Sequence, residues 1–174
     1  MTYQIDPKHS AAHFKVRHMM IANVGGEFNS VSGTVEFDTA KLDQARVEAS
    51  IDANSLHTGD PQRDGHIKGA DFFDVAQFPT ITFKSSKVTA AGSGYTVAGD
   101  LTLHGVTKPV TLKVDALSPE VTDPWSLQRR GLSAVTTINR KDFGMAWNAP
   151  AGGGMMLSEN VEITLDLEMT RPAA

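Results

Sequence analysis

The sequence predicts an all-β fold: about eight antiparallel strands closed into one barrel, with one short helix at an end. Three observations predict it. Apolar and polar residues alternate with period two along most of the chain, which gives each strand one dry and one wet face. One face stays polar throughout, the antiparallel habit, where a parallel sheet would show continuous apolar runs. Turn signals separate about eight such stretches, and that many strands in 174 residues must close into a barrel or stack as a sandwich.

Each element has its own justification. A short strand over Tyr3–Ile5 and a longer one over Ala12–His18 lead to the stretch Gly26–Asp38, where Val31, Val35 and Phe37 share a face. Taken as one strand, that stretch is about 40 Å long at ~3.3 Å per residue, which favours a tall barrel over a compact sandwich. In Asp43–Asn54, Val47, Ala49, Ile51 and Ala53 alternate with Arg46, Glu48, Ser50, Asp52 and Asn54. A helix is expected from Asp60 to Asp71. Asp60 is a good N-cap, Pro61 suits the first helical position, and Asp64 and Lys68 are spaced to pair. Pro79 blocks helix and opens the strand Thr80–Thr89. Gly94–Leu103, Lys108–Leu117, Arg130–Lys141 and Asn160–Met169 follow, the last with Val161, Ile163, Leu165, Leu167 and Met169 on one side. Gly92-Ser93-Gly94, His104-Gly105 and Asp123-Pro124 mark turns between them. Gly152–Gly154 lacks the following helix of a phosphate cradle and reads as a flexible turn. Nothing suggests a second domain, so residues 1–174 are read as one.

Composition removes several function classes. The net charge is -4 and no basic run exceeds a pair, Arg129-Arg130 or Arg140-Lys141, so nucleic acid is not an expected partner. Without cysteine there is no thiolate nucleophile, disulfide or Cys-ligated zinc. The six histidines, His9, His13, His18, His57, His66 and His104, contain no HExxH spacing, and no metal site is expected. GxSxG, Walker A and GxGxxG motifs are absent, so no catalytic residue is assigned. No apolar run approaches the ~18 residues of a membrane span. The N-terminus has neither a charged n-region nor an apolar h-region. The expectation is therefore a cytoplasmic chain as written, or a periplasmic or secreted one if an export signal has been removed.

Two polar clusters flank apolar strands: Arg63, Asp64, His66, Lys68 and Asp71 on the helix, and Asn139, Arg140 and Asp142 at a strand end before Phe143 and Trp147. Small residues on the dry faces (Ala49, Ala53, Gly99, Ala116 and Ala134) leave room for a guest in a barrel of this size.

Five blocks, in order, carry a family resemblance: HSAAHFKVRHM from His9, RDGHIKGADFFD from Arg63, FPTITFKS from Phe78, GDLTLHGVTKPV from Gly99 and INRKDFGMAWN from Ile138. The chain resembles the YceI-like polyisoprenoid-binding proteins from end to end. That resemblance implies a lipocalin-like eight-stranded antiparallel barrel. It implies non-catalytic binding, transport or storage of a long amphiphile in the interior, such as a polyisoprenoid, an isoprenoid quinone or a fatty-acid-like lipid. No other cofactor is implied. Transient membrane contact and a homodimer are compatible with it.

The expected site follows. Head-group contacts are assigned to Arg17, His18, Arg63, His66, Asn139, Arg140 and Asp142. The channel lining is assigned to Val31, Val35, Phe37, Val47, Ala49, Ile51, Ile81, Phe83, Val97, Leu101, Leu112, Val114, Leu132, Ala134, Ile138, Ile163, Leu165 and Leu167. The rival reading is a barrel-type enzyme acting on an apolar isoprenoid substrate, with His18, His66, Arg140 or Asp142 as acid or base. A third is a barrel holding haem through a histidine.

Overall fold

Strand order around the barrel is the order of the chain. The computed structural model describes residues 1–173. Its strands are β1 (Thr2–Ile5), β2 (Ala11–His18), β3 (Ala22–Phe28), β4 (Val31–Glu36), β5 (Arg46–Asp52), β6 (Leu56–His57), β7 (Thr80–Ala91), β8 (Gly94–Leu103) and β9 (Val106–Val114). Then come β10 (Val121–Thr122), β11 (Leu127–Asn139), β12 (Pro150–Ala151), β13 (Gly154–Met155) and β14 (Leu157–Pro172), with α1 at Pro61–Lys68.

Eight wall positions result because three of them are broken strands. β1 and β2 lie end to end along β14, with Ile5 opposite Met169 and Ala12 opposite Leu165. β4 and β3 continue one another beside them, as do β5 and β6. β7, β8, β9, β11 and β14 complete the ring, each antiparallel to its neighbour. β11 and β14 close it in unbroken register from Leu127↔Pro172 to Asn139↔Asn160. The thinnest seam is β9–β11, where only Ala134↔Val114 and Val135↔Lys113 pair.

Several expected boundaries move. Gly26–Asp38 is one wall position but two strands, interrupted at Asn29-Ser30, where the Ser30 N–H donates to Ser55 Oγ and the Ser30 carbonyl accepts from Asp52 N–H. Both ends of Asp43–Asn54 are 3₁₀ turns, Leu42–Gln44 and Ala53–Ser55. β9 ends at Val114, which leaves Ala116 exposed and off the dry face. Arg140 and Lys141 belong to a 3₁₀ turn, Arg140–Phe143, capped by the Asn139 side chain. The helix starts as expected, with Asp60 Oδ1 accepting from Gln62 N–H and Arg63 N–H. Its Asp64–Lys68 pair does not form, because Asp64 instead accepts from the Thr58 hydroxyl and N–H.

The barrel has a solid end and a hollow one. At the solid end the Tyr3 and Phe37 rings stack 5.2 Å apart, beside Met169, and all three are buried. The Tyr3 hydroxyl donates to Glu120 and accepts from Arg171 Nε at 3.1 Å, so its polar tip is satisfied. Arg171 Nη2 reaches Glu120 at 2.9 Å and Arg130 Nη1 donates to Ser118 O at 2.7 Å, which ties the loop 115–126 over this end. At the other end lie α1, the segment from Gly69 to Pro79, the Arg140–Phe143 turn and the β12–β13 hairpin. There Phe73 from the segment after α1 meets Phe28 of β3 edge to face, ring centroids 5.3 Å apart.

Candidate functional site: an apolar cavity with a cationic mouth

Alternation aims every second wall residue at the barrel axis. In a solid core those residues would be fully buried. Here the mid-barrel set, including Val47, Ala49, Ile51, Ile163, Leu165 and Leu167, is only half-buried, because it faces a cavity of about 430 Å³. That lies within the ~300–1,000 Å³ range of small-molecule sites. Of the expected lining, every residue except Phe37 borders this cavity. Phe37 lies one step beyond Val35 on the same face, but that step takes it into the stack on Tyr3, so it forms the floor. Small residues widen the space: an added Cβ on Gly99 would come within 2.5 Å of the Phe83 ring, so Gly99 is what lets that ring lie against the wall.

Strand periodicity also marks residues outside the expected lining. Ala12, Phe14 and Val16 alternate along β2 and border the cavity, as do Val24 and Phe28. Ile67, Phe72, Phe73, Met145, Trp147 and Met156 also border it, and these come from the helix and loops, where no strand period marks them.

Most of the polar groups collect at the mouth. His18, Arg63, His66 and Arg140 line the cavity there, His13 and Thr136 border it along the strands, and no Asp or Glu does among the described residues. Arg63 and His66 share one face of α1 at i, i+3. Arg63 Nε donates to Thr58 Oγ1 at 2.9 Å and its Nη2 to Thr58 O at 2.8 Å, with no carboxylate partner among the described residues. His66 lies 3.0 Å from Asp71 and edge-on to both Phe72 and Trp147, ring centroids 5.2 and 4.9 Å away.

Arg140 is the most buried charge, 3% exposed. Its Nε donates to Ser158 O at 2.9 Å, and its Nη1 to Met145 O at 2.7 Å and Trp147 O at 2.8 Å. These acceptors are neutral carbonyls, and Nη2 has no partner among the described residues. Burial draws the Arg140 pKa below the usual arginine value, against the pull of Glu159. A desolvated cation with an unmet donor is costly unless something electronegative completes it.

Three expected head-group residues are elsewhere. Arg17 points outward on β2, where its Nη2 donates to Met20 O at 3.3 Å. Asn139 spends its carbonyl on the Lys141 N–H and its amide on Glu159. Asp142 is exposed, makes no ion pair with Arg140, and does not border the cavity. Arg17 and Asn139 face away from the axis by strand alternation, next to the inward His18 and Ile138, and Asp142 lies on the 3₁₀ turn beyond β11. Remote from the mouth, Asp6, His9 and Glu168 offer three potential metal donors, but Arg129 Nη1 already contacts both carboxylates.

A closed antiparallel barrel, plugged at one end and hollow toward the other, defines a lipocalin-like barrel protein with an apolar interior site. The chain belongs to the YceI-like family, whose domain matches residues 3–169. A UPF0312 protein of Vibrio cholerae is 39% identical over 146 residues, 82% of this chain and 77% of that protein. A UPF0312 protein of Yersinia pestis is 38% identical over 169 residues, 95% of this chain and 84% of that one. Among solved structures, Burkholderia cenocepacia BcnA superposes with a TM-score of 0.80 at 27% identity, covering 94% of this chain and 98% of its own. A polyisoprenoid binding domain from Saccharophagus degradans superposes with a TM-score of 0.69 at 21% identity, covering 98% of each chain.

Proposed function

We propose that this protein binds one long apolar amphiphile, of polyisoprenoid or isoprenoid-quinone type, and carries or stores it without altering it. The tail occupies the barrel and an electronegative head group lies at the mouth. The observation that carries this reading is the distribution of polarity in one cavity: predominantly apolar along the barrel, with Arg63 and Arg140 at one end and no carboxylate in the wall among the described residues. The polyisoprenoid binding domain from Saccharophagus degradans, which shares this fold, supports it. Burial of an alkyl or prenyl tail gains roughly 25 cal/mol per Å² before association costs. Arg63 and Arg140, both without a carboxylate partner among the described residues, supply donors for a phosphate, pyrophosphate or carbonyl head.

Native mass spectrometry of the purified protein, with lipid extraction and then titration of prenyl phosphates and prenols, tests the reading. One equivalent of unaltered lipid per chain is expected. Failure of every long-chain prenyl lipid to bind the delipidated protein overturns it, and recovery of a chemically altered lipid favours the enzyme reading.

A further inference from the structure

The cavity mouth is rimmed by two loops without charge. No Asp, Glu, Lys or Arg occurs from His18 to Glu27's predecessor Gly26, nor from Phe143 to Leu157, in a chain that is 21% charged. The first loop is the β2–β3 turn and the second carries the β12–β13 hairpin. The two loops are joined: the Met19 N–H donates to the carbonyl of Met156, at the foot of the hairpin, at 2.7 Å.

The β2–β3 turn is costly in an informative way. The Ile21 N–H donates to His18 O, and Met19 and Met20 both have positive φ, 50° and 59°. Tight turns of that geometry normally carry Asn or Gly at the two centre positions. Here two methionines take the left-handed conformation, and their side chains project into solvent. Met20 is 69% exposed and Ile21 73%, with Met155 from the neighbouring hairpin half exposed. Long, flexible, unbranched thioethers adapt to irregular apolar surroundings. Directly beneath, Arg17 bonds the Met20 carbonyl and Asn23 and takes part in no ion pair among the described residues. An apolar projection with a free cation one layer behind it matches a bilayer's acyl boundary and its phosphate layer.

We infer that the turn Met19–Ile21 and the adjoining Met155 insert into a phospholipid surface, with Arg17 at the phosphate level, and hold the cavity mouth against the bilayer that supplies or receives the ligand. The occupant is a lipid surface because the exposed apolar side chains are backed by the Arg17 cation and are continuous with the mouth, through His18 and Met156, which both border the cavity. The inference rests on the proposed function for its purpose, but the docking itself is measured independently of the cavity.

Because the chain has no cysteine, Met20→Cys labelled with an environment-sensitive dye reports on this tip alone, and Lys87→Cys serves as control on β7 toward the opposite end. The probes are vesicles of phosphatidylcholine with and without phosphatidylglycerol. A blue shift at position 20 but not 87 is expected, stronger on the anionic vesicles. Met20→Asp with Ile21→Asp should lower vesicle partitioning at least about tenfold at unchanged unfolding midpoint. It should also slow prenol uptake from vesicles while leaving uptake from detergent intact. No shift with either vesicle, or a shift that grows with protein concentration alone, overturns the inference, the latter by identifying a second copy as the occupant. Partitioning without any prenol uptake from vesicles or detergent instead counts against the proposed function and leaves the docking standing.

Discussion

Arg140 Nη1 donates to the Trp147 carbonyl at 2.8 Å, and the Trp147 ring meets His66 edge-on at 4.9 Å. A buried cation on the end of β11 and a helix across the mouth are thus coupled through one tryptophan. The loop that carries Trp147 is anchored as well by Met145, which exchanges bonds with Arg140, and by Asn148, whose side-chain amide donates to the Leu157 carbonyl and accepts from the Leu157 N–H.

That coupling gives Arg140 two separable roles. Arg140→Ala should weaken binding of a prenyl phosphate by about 1.5–3 kcal/mol, roughly ten- to a hundredfold, more than binding of the uncharged prenol. Arg140→Lys keeps the charge and should recover part of the phosphate preference while leaving some of the three carbonyls unmet. Titrations of both lipids against all three proteins check this. Equal losses for both lipids would assign Arg140 to loop anchoring alone.

Ala49 tests the hollow interior. It sits opposite Gly33 on β4 and Phe83 on β7 and borders the cavity. Ala49→Trp in a solid core would force strain of ~1–3 kcal/mol. In the hollow barrel the indole fills space instead. The delipidated variant should unfold no earlier than delipidated wild type, and its midpoint should no longer rise on adding lipid.

Phe37 should behave in the opposite way. It is buried against Tyr3 and outside the cavity, so Phe37→Ala should cost about 3–5 kcal/mol in urea unfolding and leave the lipid stoichiometry unchanged. Phe83→Ala, half-buried and facing the cavity, should cost less stability and more lipid affinity.

The helix end should be the softer one. Hydrogen exchange is expected to be faster in Pro61–Lys68 than in the β14 stretch Val161–Met169, whose strand is paired on both sides. Bound lipid should slow exchange in the helix. An α1 whose exchange ignores lipid would remove it from any gating role.

Acid stability should depend on Asp6. Burial opposes its ionisation, but hydrogen bonds from His9, Arg129 and the Lys8 N–H prevail and hold its pKa at about 2, against an ordinary 3.8. A folded-state pKa below the unfolded one contributes stability that is full above 3.8 and is lost as the pH falls toward 2. Asp6→Asn should flatten the pH dependence of the unfolding free energy in that window, measured by urea titration at successive pH values.

The wall of this barrel was legible in the sequence because period-two alternation is a local property. Val47, Ala49 and Ile51 share a face whatever the rest of the chain does, and so do Ile163, Leu165 and Leu167. The start of α1 was legible for the same reason, since Asp60 and Pro61 act on their immediate neighbours. What the alternation could not show is depth along the axis. Val35 and Phe37 share a face, yet one borders the cavity and the other the floor, because the β1–β4 register sets Tyr3 opposite Val35 and the Phe37 ring stacks on Tyr3. Nor could spacing separate Arg140 from Asn139 and Asp142. All three sit at one strand end, and only the 3₁₀ turn there decides that Arg140 turns inward to three carbonyls while Asn139 caps the turn and Asp142 faces solvent. The sequence by itself determined which residues are dry, through chemistry repeated every second position. Tertiary structure alone decided which dry residues meet each other and which meet empty space, because that depends on pairing between strands far apart in the chain.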